Sequence, residues 1–267
     1  MSVHPLRDHD LKLGRSRRSE SPKIKLRDFV DIEKAAASRV PLEQSVDYAT
    51  LVASWPMFLN DRLGDCTCAG AAHAVQTFAA MTGGSFTVTD TDVERMYRAS
   101  GYDPSKAEPN GENPTDQGWT LEAAAGYLQG TGLQGEPDIE ASAEVTLHNE
   151  EEEQVALELF GCLYEGMECP SSALAQAQEG KPWTVVPGAE IAGGHCVVRP
   201  KSVLGTTGYH VSWGCLIPAT DEFDKEYFDE YMVFVPKDWE AKLPEAVLKL
   251  GVVDFSKLAS LAIQFAA

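Results

Sequence analysis

The sequence has no apolar run long enough to cross a bilayer, and its first residues lack the apolar stretch of a secretion signal. Basic residues are scarce, since 22 Lys and Arg stand against 41 Asp and Glu, a formal net charge of −19. This excess of negative charge argues against nonspecific nucleic-acid binding. We therefore expect a cytoplasmic protein that has neither a membrane nor a nucleic acid as partner.

Cysteine is also sparse, with six residues in a chain of 267. That number is too small for a disulfide scaffold, and no paired Cys-x-x-Cys spacing predicts a zinc site. We expect reduced thiols, and neither a metal nor an organic cofactor. The apolar content of 43% is ordinary for a chain with a hydrophobic core.

Residues 1–40 differ in charge from the rest of the chain. They contain ten Lys or Arg and six Asp or Glu, a charge of +4, which leaves −23 on the remainder. Polar and charged residues dominate 15–25, so we predict an extended or disordered arm. The arm is a passive tail, a pro-segment covering a groove, or a docking arm for an acidic partner. Such a partner would be the body of this protein, within one subunit or by self-association.

Hydrophobic periodicity predicts an α+β domain over residues 41–267. Its helical half covers about 45–160, its β-rich half about 161–240, and a C-terminal tail 241–267. The predicted helices are Cys66–Met81, Thr87–Ala99, Trp119–Gln129 and Glu150–Phe160. The predicted strands are Val145–His148, Gly161–Met167, Ile191–Val198, Val203–Val211 and Tyr231–Val235. We expect the helix that begins at Cys66 to pack on an antiparallel sheet.

The start of that helix is the strongest chemical signal in the chain. Asp65 is a natural N-cap, and the alanine-rich run after Cys66 favours a helix. A thiol in the first helical turn is stabilised as the thiolate, the nucleophilic form. The other interpretation is a buried apolar cysteine, which we assign to Cys68 because it points about 200° away.

A histidine follows 129 positions after Cys66, in the run Gly193–Val198. The two glycines before His195 permit close approach of another element. A further predicted strand ends in Ser212-Trp213-Gly214.

The order of these motifs resembles that of the papain-like cysteine peptidases. Asn60 stands six residues before Cys66, where that family has a glutamine, and Gly64 matches a family glycine. Residues 45–48 resemble the N-terminal residues of the mature enzymes of that family. Residues 116–119 stand where the family has a wall of the substrate cleft. The form of residues 60–67 resembles that of bacteriophage-encoded members.

The resemblance implies a peptidase or amidase that acts on a protein or peptide. Cys66 would be the nucleophile, His195 the base and Asn60 an oxyanion-hole donor. Gly118, Trp119 and Trp213 would line the substrate site. A phage origin would place the protein in the host cytoplasm or the virion, with a virion component as possible partner of the arm.

One departure from the family pattern concerns the residue that orients the histidine. The family asparagine is replaced by Val211, and regular strand alternation would point Ser212 away from the Trp213 face. This departure favours an alternative, a papain fold serving as a structural or binding protein. A third possibility is transglutaminase- or acyltransferase-type use of the same dyad.

Overall fold

The computed structural model describes residues 5–17, 23–38, 45–203 and 205–265. The α-helices in these ranges are α1 (Ile32–Ala37), α2 (Cys66–Met81), α3 (Asp90–Arg98), α4 (Leu121–Gly130), α5 (Glu150–Phe160), α6 (Ser171–Gln178), α7 (Asp221–Tyr227), α8 (Trp239–Lys242), α9 (Glu245–Leu250) and α10 (Phe255–Phe265). The strands are β1 (Ser45–Asp47), β2 (Ile139–Glu144), β3 (Leu163–Pro170), β4 (Ile191–Val203), β5 (Thr207–Ser212), β6 (Cys215–Thr220) and β7 (Phe228–Pro236). None of these helices has the length and hydrophobicity of a membrane span.

The strands form one antiparallel sheet in the order β2-β7-β3-β4-β5-β6, and β1 pairs with the far end of β4. Helix α2 packs against β4, the strand that carries His195, and β5 carries Val211. The predicted α+β class is therefore confirmed, with the cysteine helix on the sheet.

Helix α2 lies close to the sheet because its inner face is made of small residues. A Cβ on Gly70 would lie 3.1 Å from the Cys196 sulfur and from the Tyr164 ring. Cys68 is fully buried, and His73 packs against Phe58 with ring centroids 4.8 Å apart. Both side chains thus belong to the core, as we predicted for Cys68.

Local sequence signals place the other early helices well. Thr89, Thr120 and Asn149 each accept a hydrogen bond from the first turn of α3, α4 and α5. The predicted strand at Val145–His148 is wrong, because the strand β2 ends before it at Glu144. The buried positions of β2 include Ala141 and Ala143, which give only a weak hydrophobic alternation.

Segments outside the predicted halves also contribute to the core. Leu26, Phe29 and Ile32 belong to the same hydrophobic cluster as the sheet, and so do Val252 and Leu258 near the C-terminus.

A buried charged cluster fixes β4 and β5 to the elements around them. Arg199 on β4 lies 2.7 Å from Glu153 and 2.8 Å from Glu165. His210 on β5 lies 2.9 Å from Glu165 and 3.2 Å from Asp224. Buried charges of this kind stay only if paired, so the cluster holds the two strands in register.

We predict that His210→Gln destabilises the fold below pH 8 and has little effect above pH 9. Burial alone lowers the pKa of His210, but Asp224 and Glu165 outweigh it and raise the pKa to about 9. A raised pKa stabilises the fold fully below the unfolded value of about 6.5, and this contribution is lost as pH rises through about 9. At pH 7 we expect a loss of about 2–3 kcal/mol in the free energy of unfolding.

Urea unfolding at pH 6, 7.5 and 9.5 measures this effect as the difference between wild type and variant. A difference that does not change with pH would assign the role of His210 to packing alone.

Candidate active site

The predicted nucleophile lies where the sequence places it, at the first residue of α2. Cys66 is buried, with 1% of its surface exposed. Asp65 occupies the N-cap position, but its carboxylate makes no capping hydrogen bond to the first turn. The backbone of Cys196, the residue after His195, hydrogen-bonds the Cys66 sulfur, so the sulfur lies against the strand that carries His195.

His195 has a hydrogen-bond partner in Ser212, which we expected to point away from the Trp213 face. Its Nε2 lies 2.7 Å from the Ser212 hydroxyl oxygen, and both residues are buried. The expectation that Ser212 points away from the Trp213 face is wrong because the strand ends at Ser212. Trp213 and Gly214 form a two-residue hairpin turn with φ of 47° and 71°, so strand alternation does not extend to Trp213.

The imidazole is held on one face and at one edge. Its ring stacks on Trp213 with centroids 4.3 Å apart and planes 14° from parallel. In the tautomer with a proton on Nε2, that N–H donates to Ser212. Nδ1 is then free to accept a proton, and it is buried without a hydrogen-bond partner among the described residues.

The side chain of Asn60 approaches the same Lys12 carbonyl as the indole of Trp213. Its side-chain Nδ2 donates to the Leu63 carbonyl at 3.1 Å and approaches the Lys12 carbonyl at 3.5 Å. An amide that already contacts a main-chain carbonyl can serve as a donor to a substrate carbonyl.

An extended polypeptide from the N-terminus lies across the dyad. We call residues 5–17 the covering segment. Its Gly14 and Arg15 amides donate to the Gly194 carbonyl at 3.2 and 2.9 Å. On the opposite side Trp119 N–H donates to the Gly14 carbonyl, and Ser16 N–H to the Trp119 carbonyl, both at 2.8 Å. The segment therefore occupies the cleft through main-chain hydrogen bonds to both walls.

Glycines on both sides allow this close approach. A Cβ on Gly14 would lie 1.8 Å from the Gly64 carbonyl oxygen, and one on Gly118 would lie 1.8 Å from the Gly14 carbonyl oxygen. A Cβ on Gly194 would lie 2.2 Å from the Arg15 carbonyl oxygen. The glycine pair before His195 thus admits another element, and that element is the covering segment.

Burial beneath this segment makes both members of the dyad neutral. It raises the pKa of the Cys66 thiol to about 12, against the opposing effect of the Cys196 and Gly14 backbone. It also lowers the pKa of His195 to about 3. The thiolate expected from the helix N-terminus is therefore absent in this covered state, because desolvation outweighs the helix dipole.

The structure also brings together residues that sequence reasoning missed. Asp116 accepts from Gly64 N–H at 3.0 Å and from the Tyr97 hydroxyl, which in turn accepts from Gly118 N–H at 2.9 Å. This brace joins the cysteine loop to the Gly118 wall. Asp116 stood inside a recognised motif, but no signal connected it to Tyr97.

Of the predicted substrate residues, Gly118 and Trp119 form one wall of the occupied cleft. Trp213 lies at its other end, where its indole N–H donates to the Lys12 carbonyl at 3.0 Å.

No protein-family model matches the sequence, and no curated protein matches it by sequence. Solved structures do match the fold. Xylellain, a cysteine protease from Xylella fastidiosa, superposes with a TM-score of 0.63 at 12% identity, over 85% of this chain and 97% of that one. Procathepsin B S9 from Trypanosoma congolense gives 0.54 at 12% identity, over 85% and 87% of the two chains.

A recombinant stem bromelain precursor gives a TM-score of 0.52 at 13% identity, over 89% of this chain and 80% of that one. At sequence identities this low, the matches show a shared fold alone. The chain has the fold of the papain-like cysteine proteases.

Proposed function

We propose that this protein is a papain-like cysteine peptidase or amidase that the covering segment holds in a latent state. The observation that carries the proposal is the occupied cleft itself. An extended polypeptide crosses Cys66, bonded through its main chain to Trp119 on one side and Gly194 on the other. A site that binds one peptide backbone beside a cysteine and a histidine suits peptide substrates.

In the uncovered enzyme, His195 Nδ1 takes the proton of Cys66 and the thiolate attacks the substrate carbonyl carbon. Asn60 and the Cys66 backbone N–H stabilise the oxyanion. The C–N bond then breaks, His195 returns its proton to the leaving nitrogen, and water hydrolyses the thioester by the same route. Ser212 accepts from Nε2–H and stabilises the imidazolium between these steps.

This role of Ser212 favours the enzyme over the scaffold. The scaffold alternative drew its support from Val211, which cannot accept a hydrogen bond. Ser212 supplies the acceptor from the adjacent position, 2.7 Å from the ring.

The direction of the covering segment suits an inhibitor. His195 must protonate the leaving nitrogen, and its ring lies against Trp213, so the leaving half of a substrate extends toward Trp213 and the acyl half toward Trp119. Lys12 lies at the Trp213 end, where its carbonyl accepts from the indole N–H. Arg15 lies at the Trp119 end, where it forms a parallel β-bridge with Trp119. The segment thus runs opposite to a substrate and resists cleavage.

The covering segment contacts the acidic body of its own chain, so we propose an intramolecular role for it. The phage origin, the cytoplasmic or virion location and a virion partner stay predictions of the sequence.

The test uses the full chain carrying Gly14→Ala, which uncovers the cleft, and a fluorogenic peptide library. We expect hydrolysis that is lost when Cys66→Ala is added and kept when Cys68→Ala is added instead. Hydrolysis that survives Cys66→Ala would refute the thiol mechanism. A folded Gly14→Ala variant with an alkylation-reactive Cys66 and no hydrolysis of any peptide would refute the peptidase.

A further inference from the structure

The cleft holds a buried cation pocket at its Trp119 end. The side chain of Arg15 fills it and is fully buried. Its Nη2 lies 2.7 Å from an Asp229 carboxylate oxygen and 3.0 Å from a Glu230 carboxylate oxygen. Gly166 makes room for it, since a Cβ there would lie 2.3 Å from Arg15 Nε.

Neighbouring basic residues of the N-terminal region also pair with carboxylates. Arg17 Nε lies 3.5 Å from Glu168. Lys23 contacts both Glu122 and Glu230, the latter at 3.2 Å.

Removal of the covering segment would take Arg15 away from the carboxylates of Asp229 and Glu230, and Arg17 away from that of Glu168. Of the residues that the structure describes beyond this segment, Lys23 still contacts Glu230. Glu230 is 1% exposed, so water screens its charge poorly. An uncovered pocket of this composition attracts a positively charged side chain.

Building on the proposed function, we propose that this pocket selects substrates with an arginine or lysine on the acyl side of the cleaved bond, and that Glu230 determines the selection. The pocket lies toward Trp119, the end that receives the acyl half of a substrate. A substrate runs opposite to the covering segment, so the basic residue precedes the cleaved bond.

The contacts of Arg15 define what the pocket recognises. Nη2 alone carries its two carboxylate contacts, while Nε and Nη1 have no hydrogen-bond partner among the described residues. Recognition therefore depends on charge more than on the fork shape of a guanidinium. We expect lysine to be accepted along with arginine.

The experiment uses the full chain with Gly14→Ala and Arg15→Ala, which opens the cleft and removes the internal competitor. Fluorogenic peptides carry arginine, lysine, citrulline or leucine at each of the three positions before the cleaved bond. Citrulline is the neutral counterpart of arginine with nearly the same shape. At one position we expect kcat/KM for arginine and lysine to exceed that for citrulline by about 10- to 100-fold.

Adding Glu230→Gln should lower kcat/KM for the arginine and lysine peptides to about that of the citrulline peptide. The matched control is Glu240→Gln, which alters an exposed carboxylate on α8 and should keep the preference. If circular dichroism shows that Glu230→Gln does not fold, the test is the ratio of kcat/KM for the arginine and citrulline peptides in the chain with Gly14→Ala and Arg15→Ala.

Cys66-dependent hydrolysis with equal rates for arginine and citrulline at every position would overturn the pocket while the peptidase stands. Calorimetry on the same chain with Cys66→Ala tests the opposite case, in which the pocket binds basic side chains but no peptide is hydrolysed. Binding of an arginine peptide at least about tenfold tighter than its citrulline form, lost with Glu230→Gln, would support the pocket even if no peptide were hydrolysed.

Discussion

Replacing Gly14 with alanine should raise the rate of Cys66 alkylation at pH 7 by at least about a hundredfold. The new methyl group would lie 1.8 Å from the Gly64 carbonyl oxygen, so the covering segment has to leave the cleft. With a pKa of about 12, roughly one Cys66 thiol in 10⁵ is ionised at pH 7, against about 3% at the ordinary cysteine pKa. Water that enters the open cleft removes most of the desolvation that causes this difference.

Iodoacetamide labelling resolved by peptide mass spectrometry measures the rate for each cysteine separately. Cys215, the only half-exposed cysteine of the six, provides the internal standard, and buried Cys68 should stay unlabelled. The control variant is Gly126→Ala, because a Cβ at Gly126 meets nothing within 4 Å. Equal Cys66 labelling in both variants would show that the covering segment does not shield the thiol.

Alanine in place of Ser212 should lower kcat/KM of the uncovered enzyme by about 10²- to 10³-fold. Ser212 is the acceptor for His195 Nε2–H, at 2.7 Å. Without it the imidazole loses its preferred tautomer, and the imidazolium formed during catalysis loses a buried hydrogen bond. The acid limb of the kcat/KM profile should therefore move to lower pH, a change that a purely structural role of Ser212 would not produce.

Two further substitutions sharpen this test in the same Gly14→Ala background. Ser212→Thr keeps the hydroxyl and should retain most activity. Val211→Asn should give no gain, because Val211 pairs with Val198 on the sheet and points away from the ring that Ser212 contacts. Its buried amide should instead destabilise the fold by roughly 1–3 kcal/mol. Wild-type activity and pH profile in Ser212→Ala would rule out Ser212 as the orienting residue.

The role of Asn60 in the oxyanion hole stays a prediction, and so do the substrate-binding roles of Gly118 and Trp119. Their positions around the covering segment agree with these roles. The variants above leave all three residues intact, so they test the dyad and its cover without disturbing the walls of the cleft.

Local sequence signals predict the elements that depend on neighbours in the chain. The alanine-rich run after Cys66 predicts α2 from Cys66 to Met81, and the structure has those bounds. The acidic start of α5 predicts Glu150–Phe160 equally well. Gly161, which we placed in the next strand, instead ends the helix in the left-handed conformation. Periodicity, caps and helix-ending glycines act over a few residues, so a linear reading recovers them.

The packing of distant segments sets the protonation state and the hydrogen bonds of the site. A left-handed turn at Trp213 gives Ser212 its contact with His195, although strand alternation points the other way. The pKa of Cys66 depends on Gly14, which is remote in sequence and close in space. Arg15 meets Glu230 across 215 positions of the chain. Such pairings depend on how distant segments pack, and no local preference of either residue encodes them.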